Sequence, residues 1–398
     1  ISISYAPQGA HDPETGAMAP GRVDIRMDVS EPLLTRPFLS IAPEGGTPLP
    51  VELSKASDTR YTGFFNISDT TPSGTAWAVF SGRDKFGNRG TQINEGRSVQ
   101  IDTHAPEVVR IAVFPAAPVR NEDETQITAV FGLDEPIAEG GTPQIQWRLS
   151  GEGRTPMPVD TLSETTAQAG DAQTWQAGFT LPADGGLEAP ETLSFLYEGA
   201  DHLGNTSTTI SAPNAFQVYQ GQLPPLATPT GLSGLPLPEG KIELNWEPVE
   251  GAAGYRLFRM GPDETALSAY GDPMEPGRTS FTDATAADGI YAYAIASIRR
   301  ENDQTSQSAQ SDTVEIRADS QAPPAPERLS LNLASNGIHA AWDSPGYTET
   351  ITFSLYRSSA EQILSLQGLD PEIEGIEQEN TAVVDPNPAP DAHCYAVA

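Results

Sequence analysis

Cysteine, lysine and long apolar runs are scarce in this sequence. Cys394 is the only cysteine among 398 residues, so no disulfide can form within the chain, which excludes the class of small domains held together by disulfides. Lysine occurs only at Lys55, Lys85 and Lys241. No apolar run is long enough for a membrane-spanning helix, so we expect no direct membrane insertion.

Positive charge is also scarce. The chain has 54 acidic residues against 22 lysines and arginines, which gives a formal net charge of −32. Such a chain repels phosphate backbones and anionic headgroups, so nucleic acids and membrane surfaces are excluded as expected partners. The same charge favours solubility and attracts divalent cations.

Glycine and proline are abundant, at 36 residues each, whereas charged residues make up 19%. Frequent turns favour short strands over long helices, and the length suggests two to four domains. The composition therefore predicts an all-β protein. Residues 358–361, Ser-Ser-Ala-Glu, resemble a helix capping box and predict a short helix on a loop.

Two copies of one pattern occupy the first half of the chain. Residues 75–84 align with residues 192–201, and the alignment continues through Asp-x-x-Gly-Asn at 84–88 and 201–205. Upstream, Ser-Glu-Pro at 30–32 aligns with Asp-Glu-Pro at 134–136. Apolar residues alternate with polar ones at Val23, Ile25 and Met27, which is typical of a strand with one buried face.

A different pattern is repeated in the second half. Residues 241–246 align with 337–342, 254–259 with 353–357, and 292–296 with 394–398. Proline-rich segments at 223–229 and 322–326 precede the two copies and mark domain boundaries. We therefore predict domains at 1–105, 106–222, 223–321 and 322–398. We expect the last to lack its final strand, with the polypeptide continuing beyond it.

The second half resembles fibronectin type III modules, through Trp246, Trp342 and the Tyr-x-Ala strands. The first half resembles bacterial immunoglobulin-like repeats of large surface proteins and adhesins, through the 84–88 turn and Ile-Asp-Thr-His-Ala-Pro at 101–106. The second copy departs from that pattern, because residues 218–221 end it without the Asp-Thr-x-Ala-Pro junction. The resemblance implies four tandem β-sandwich domains that act as spacers, adhesive arms or accessory modules.

Catalytic motifs are missing from the sequence. It contains no His-Glu-x-x-His, no Gly-x-Ser-x-Gly, no phosphate-binding loop and no dinucleotide fingerprint, and its five histidines are scattered. We therefore expect no enzyme activity. All five tryptophans lie in strand patterns and are predicted to be core residues, which argues against an aromatic platform for carbohydrate.

One metal-site hypothesis arises from the carboxylates. Asp102 lies in the first junction, and Asp84, Asp134 and Glu135 lie in predicted turns. Calcium prefers several carboxylate and carbonyl oxygens, and the resemblance implies adhesin repeats stiffened by this ion. We predict a Ca²⁺ site from these four residues. In the alternative interpretation, Asp84 and Asp201 cap turns and Asp102 is a solvated linker residue.

The sequence is compatible with three functions. The first is a non-catalytic structural or adhesive array of an extracellular or cell-surface protein, secreted and bacterial, which contacts proteins or surface components through loops and sheet edges. The second is an accessory region of a large secreted enzyme. The third is a scaffold subunit of a cell-envelope assembly, which predicts large apolar patches on charged modules.

Overall fold

The computed structural model describes residues 1–122, 124–182, 187, 189–285, 287–344, 346, 350–360, 362–388 and 394–398. Over this part of the chain, 34 strands and one 3₁₀ turn, Pro238–Gly240, are present, which confirms the predicted all-β class. No helix in the same part is long and apolar enough to cross a membrane. The chain divides into two compact units, Ile1–Pro225 with Arg299–Ser306, and Leu226–Ile298 with Gln307–Ala398.

The first sandwich consists of two sheets that enclose one core. One sheet has the order β1-β3-β7-β6, and the other has the order β2-β10-β8-β4-β5 with β9 paired to β8. β2 runs parallel to β10. The strands are β1 (Ser2–Pro7), β2 (Ala17–Met18), β3 (Gly21–Asp28), β4 (Phe38–Pro43), β5 (Leu49–Pro50), β6 (Glu52–Ser57), β7 (Arg60–Ile67), β8 (Gly74–Arg83), β9 (Arg89–Gly90) and β10 (Ser98–Ile101).

The second sandwich repeats the first strand for strand. Its strands are β11 (Val108–Phe114), β12 (Val119–Asn121), β13 (Gln126–Leu133), β14 (Gln144–Leu149), β15 (Met157–Pro158), β16 (Thr161–Thr165), β17 (Gln173–Thr180), β18 (Glu191–Ala200), β19 (Thr206–Ser207) and β20 (Phe216–Gln220). Its sheets have the orders β11-β13-β17-β16 and β12-β20-β18-β14-β15, with β19 paired to β18 and β12 parallel to β20. The aligned segments at 75–84 and 192–201 thus form equivalent strands, β8 and β18.

The third and fourth sandwiches have fewer strands. The third contains β21 (Ser233–Pro236), β22 (Lys241–Asn245), β23 (Gly254–Met260), β24 (Ser268–Ala269), β25 (Ser280–Ala284), β26 (Gly289–Glu301), β27 (Gln304–Gln307) and β28 (Val314–Ala318). Its sheets are β21-β22-β25 and β24-β23-β26-β27, with β28 on β26. The fourth contains β29 (Glu327–Ala334), β30 (Gly337–Asp343), β31 (Thr352–Ser358), β32 (Ile373–Glu377), β33 (Ala382–Asp385) and β34 (Cys394–Val397), in the sheets β29-β30-β33 and β32-β31-β34.

The helix predicted from residues 358–361 is not found in the neighbouring described residues. Ser358 ends β31, and residues 362–369 contain no helix. Glu361 itself lies outside the described residues. A capping box needs a following apolar helical repeat to nucleate a helix, and packing on a strand decided the conformation of Ser358 instead. The four-domain boundaries stay a prediction.

Each sandwich buries an apolar core between its sheets. On β3, Val23, Ile25 and Met27 are 1%, 3% and 0% exposed, which confirms the period-two pattern. Full burial of such a side chain contributes about 1.5–3 kcal/mol. The core strands therefore hold each sandwich together without a disulfide.

A buried ion pair recurs in the last two sandwiches. The guanidinium of Arg259 lies 3.0 Å from a carboxylate oxygen of Asp283, which is 1% exposed. The hydroxyl of Tyr293 donates to the same carboxylate at 2.7 Å. Because each member has a partner, the desolvation cost of the charges is offset. The fourth sandwich repeats the arrangement with Arg357, Asp385 and Tyr395.

The prediction that all five tryptophans are core residues is wrong for Trp77. Four tryptophans are 3–5% exposed: Trp147, Trp175, Trp246 and Trp342. Trp77 is 48% exposed, since Ala76 and Ala78 on either side of it occupy the inward positions of β8. Strand alternation gives two possible registers, and only the pairing of β8 in its sheet decides which face is buried.

Candidate metal centre

Asp102 lies in the segment that joins the first two sandwiches, directly after β10. Its backbone N–H donates to the carbonyl oxygen of Met18 in the first sandwich at 2.9 Å. Its own carbonyl oxygen accepts a hydrogen bond of 3.1 Å from the side-chain amide of Asn205 in the second sandwich. Asp102 is therefore attached to both sandwiches through its backbone, and its carboxylate is held at their junction.

Glu135 follows the end of β13. The strand stops here because Pro136 has no N–H to donate to a sheet ladder. The glutamate side chain is half-buried, and its Oε2 atom is buried with no hydrogen-bond partner among the described residues. An unpartnered buried carboxylate oxygen is costly, so this atom is a natural ligand for a cation.

Asp201 follows the end of β18 and is 2% exposed. Its Oδ1 atom accepts hydrogen bonds from the backbone N–H groups of Leu203 at 2.9 Å and Asn205 at 2.8 Å. Its Oδ2 atom accepts the side-chain amide of Asn205 at 2.8 Å. These bonds form the tight Asp-x-x-Gly-Asn turn, in which Gly204 has a φ of +85° that favours glycine. The turn holds the Asp201 carboxylate in one orientation.

The structure brings Asp102, Glu135 and Asp201 together. One carboxylate oxygen from each lies within 4.8 Å of the other two. Burial, and then the negative charges of Asp102 and Asp201, raise the pKa of Glu135 from 4.5 to about 7. Three carboxylates at this separation repel one another unless a cation or a proton lies among them. Hard oxygen ligands in this number suit Ca²⁺, which takes carboxylate and carbonyl oxygens in flexible geometry.

Asp134 lies beside this cluster but has other partners. Its Oδ2 atom is 2.9 Å from Nε2 of His104, and its Oδ1 atom accepts the backbone N–H of Glu107 at 2.8 Å. The hydrogen bond to Asp134 raises the pKa of His104 above its ordinary value of 6.5. Asp134 therefore fixes the linker after Asp102, and it adds negative charge near Glu135.

Of the four predicted ligands, Asp102 and Glu135 lie in the cluster, Asp134 flanks it, and Asp84 lies elsewhere. Asp84 occupies the β8–β9 turn of the first sandwich, where its oxygens accept N–H groups of Phe86 and Asn88. It is the repeat equivalent of Asp201, for which the sequence pattern predicts only a turn-capping role. The repeat alignment was the signal that could have pointed to Asp201, because it pairs the two turns.

Comparisons with known proteins assign this chain to no family. No family model matches the chain, and no curated protein matches it. Among solved structures, the FN1–FN3 domains of chicken CNTN1 match over 79% of this chain and 97% of theirs, with 10% identity and a TM-score of 0.28. The all-β class and the tandem β-sandwiches rest on the strand orders of this structure itself. A fold by itself does not assign an activity.

Proposed function

We propose that this chain is a non-catalytic array of β-sandwich modules from a secreted or cell-surface bacterial protein, in which it serves as a spacer and interaction scaffold. We further propose that Ca²⁺ fixes the joint between the first two sandwiches. The observation that carries this proposal is the convergence of Asp102, Glu135 and Asp201, with the Oε2 atom of Glu135 buried and unpartnered. Tandem sandwiches and a net charge of −32 also fit such an array.

The ion would act by joining the linker to the second sandwich. Asp102 is hydrogen-bonded to Met18 of the first sandwich, whereas Glu135 and Asp201 belong to the second. A cation held by all three carboxylates would restrain the linker at both ends and remove the mutual repulsion of the acids. Calcium concentration would thus set the stiffness of the joint.

Small-angle X-ray scattering of the whole chain, in calcium and then in chelator, tests the proposal. We expect calcium to change the scattering profile of the wild-type chain towards a more restrained particle, and chelator to reverse the change. Asp201→Asn should abolish the response. The matched control is Asp84→Asn, which removes a carboxylate from the equivalent turn of the first sandwich, and it should respond like the wild type. Equal profiles with and without calcium would refute the joint.

A further inference from the structure

The outer face of the β2-β10-β8-β4-β5 sheet carries exposed apolar side chains. Phe38, Trp77 and Val79 are 56%, 48% and 47% exposed. Trp77 lies opposite Ala42 on the neighbouring strand, and Phe38 lies opposite Ser81, two residues beyond Val79. Because strand side chains alternate, these residues share the solvent side of the sheet. We refer to Phe38, Ala42, Trp77 and Val79 as the Trp77 face.

The second sandwich has the same strand order but lacks the aromatic rings of this face, although Leu196, at the position of Val79, is 39% exposed. β18 pairs with β14 in the register in which β8 pairs with β4, so Ser194 takes the place of Trp77. By the same register, Gln144 takes the place of Phe38. The fold is therefore compatible with polar residues at these positions. The exposed aromatic rings are a property of the first sandwich and not a requirement of the fold.

Neutral hydrogen-bonding groups border the aromatic ring. Ser98 on β10 lies opposite Trp77, and Gln100 lies opposite Thr75. The amide of Gln100 donates to the hydroxyl of Thr75 at 3.1 Å, and all three polar residues reach solvent. An indole ring next to hydroxyl and amide groups suits a ligand with an apolar C–H face and a polar rim. A sugar ring has this form, since its axial hydrogens meet the negative π face while its hydroxyls exchange hydrogen bonds.

The size of the Trp77 face and the net charge of the chain argue against two other kinds of ligand. The exposed parts of its three large side chains amount to roughly 300 Å² of apolar surface, against about 800 Å² per partner in a stable protein interface. Two copies of a chain with a net charge of −32 would also repel each other. The same charge repels nucleic acid phosphates, although bases stack on aromatic rings. The face therefore fits a small neutral ligand better than it fits a second copy or a nucleic acid.

We propose that the Trp77 face is a carbohydrate-binding platform for neutral glycans. The five residues from Trp77 to Ser81 on β8 are separated by four rises and span about 14 Å at the ordinary rise of a strand. A linear oligosaccharide of a few rings can therefore stack on Trp77 and extend over Val79 towards Phe38. This inference deepens the proposed function, because it names what an adhesive array would hold.

Binding of the whole chain to a microarray of neutral and acidic oligosaccharides tests the platform. We expect neutral glycans to bind, and Trp77→Ser to weaken binding about tenfold or more, since it installs the residue of the second sandwich and deletes the stacking ring. Phe38→Gln should weaken binding to longer glycans more than to short ones. The control is Leu235→Ser, which removes a 55% exposed leucine from the third sandwich and should leave binding unchanged.

Fluorescence gives a second readout of the same contact. Trp77 is half-exposed while the other four tryptophans are buried, so acrylamide should quench Trp77 preferentially. A bound glycan should protect the wild-type chain from quenching, and Trp77→Ser should show no protectable fraction. Asp201→Asn is expected to bind the same glycans, so the platform and the calcium joint can fail separately.

Three results would overturn the platform. They are the absence of neutral glycans among the ligands, equal binding by Trp77→Ser and the wild type, and a concentration-dependent dimer that Trp77→Ser abolishes. The last result would assign the face to a second copy of the chain.

Discussion

Replacing Glu135 by glutamine should stabilise the metal-free protein and weaken the proposed calcium site. In the metal-free protein, burial and the carboxylates of Asp102 and Asp201 raise the pKa of Glu135 from 4.5 to about 7. A carboxyl that binds its proton more tightly in the folded state stabilises the fold at low pH. That stability is lost as pH rises from 4.5 to about 7. Glutamine carries no charge at any pH, so the variant should not lose this stability as the pH rises.

The magnitude follows from the two pKa values. Their difference corresponds to about 3 kcal/mol at 1.36 kcal/mol per pH unit. Glu135 is only partly buried, so solvent screening reduces this to about 1–2 kcal/mol. For a sandwich of this size, 1 kcal/mol shifts the melting temperature by about 4 °C. At pH 8 in chelator, Glu135→Gln should therefore melt about 4–8 °C above the wild type. At pH 4 the two should melt together.

With calcium, the order of the two melting temperatures should reverse, so that the wild type melts above Glu135→Gln. A ligand at 100 times its Kd stabilises the folded state by about 2.7 kcal/mol, and ionised Glu135 is part of the proposed site. The wild-type chain should gain stability on calcium addition at pH 8 and much less at pH 5, where the proton competes with the metal. Glu135→Gln should gain little at either pH. Asp84→Asn, the control in the equivalent turn, should show the same change in stability on calcium addition as the wild type.

Differential scanning calorimetry of the whole chain measures these shifts, and hydrogen exchange localises them. The shifts should be confined to one transition, and the amides of Leu203 and Asn205, which donate to Asp201, should gain protection with calcium. A melting temperature that does not depend on calcium at pH 8 would remove the metal site. Equal metal-free stability of Glu135→Gln and the wild type at pH 8 would show that no repulsion is stored at the cluster.

Three further predictions concern residues outside the three-carboxylate cluster. Gly96 has a φ of +70°, and a Cβ at this position would collide with a backbone carbonyl of β1. Gly96→Ala should therefore lower the free energy of unfolding, measured in urea, by about 2–3 kcal/mol. A loss below about 0.5 kcal/mol would contradict the collision. Asp283→Ala leaves Arg259 without its buried partner and should destabilise the third sandwich by about 3–5 kcal/mol. An unchanged free energy of unfolding would mean that water replaces the carboxylate. The pKa of His104, measured by NMR titration, should lie above 6.5, because the Asp134 carboxylate stabilises the imidazolium. Asp134→Asn should lower this pKa. An unchanged pKa in the variant would contradict the hydrogen bond.

The repeats and the strand pattern were readable from the sequence because they depend on local periodicity. Alternation at Val23, Ile25 and Met27 indicates a strand wherever it occurs, and those residues are buried as expected. The aligned segments at 75–84 and 192–201 became equivalent strands in two sandwiches of identical strand order. The all-β class follows from the same local signals, together with abundant glycine and proline.

The three-carboxylate cluster was only partly predictable, since its members come from distant parts of the chain. Asp102 and Glu135 were named as ligands because they lie in a junction and a turn. Asp201 was missed because its place beside Glu135 depends on the ends of β13 and β18, which lie in different sheets of one sandwich. Asp84 lies in the turn of the first sandwich that is equivalent to the turn of Asp201. Its predicted place in the cluster was wrong because the same local motif has different surroundings in the two copies.

The all-β class, the two internal repeats and the acidity of this protein follow from composition and periodicity, which are properties of a chain before it folds. Which carboxylates meet and which tryptophan faces water depends on how the strands pair and how the sheets pack. Trp77 and Trp147 both lie in well-formed strands, yet one is 48% exposed and the other 3%. Pairing register selects the face that a strand buries, and sheet packing selects which strand ends lie close together. Neither choice is encoded within a single strand.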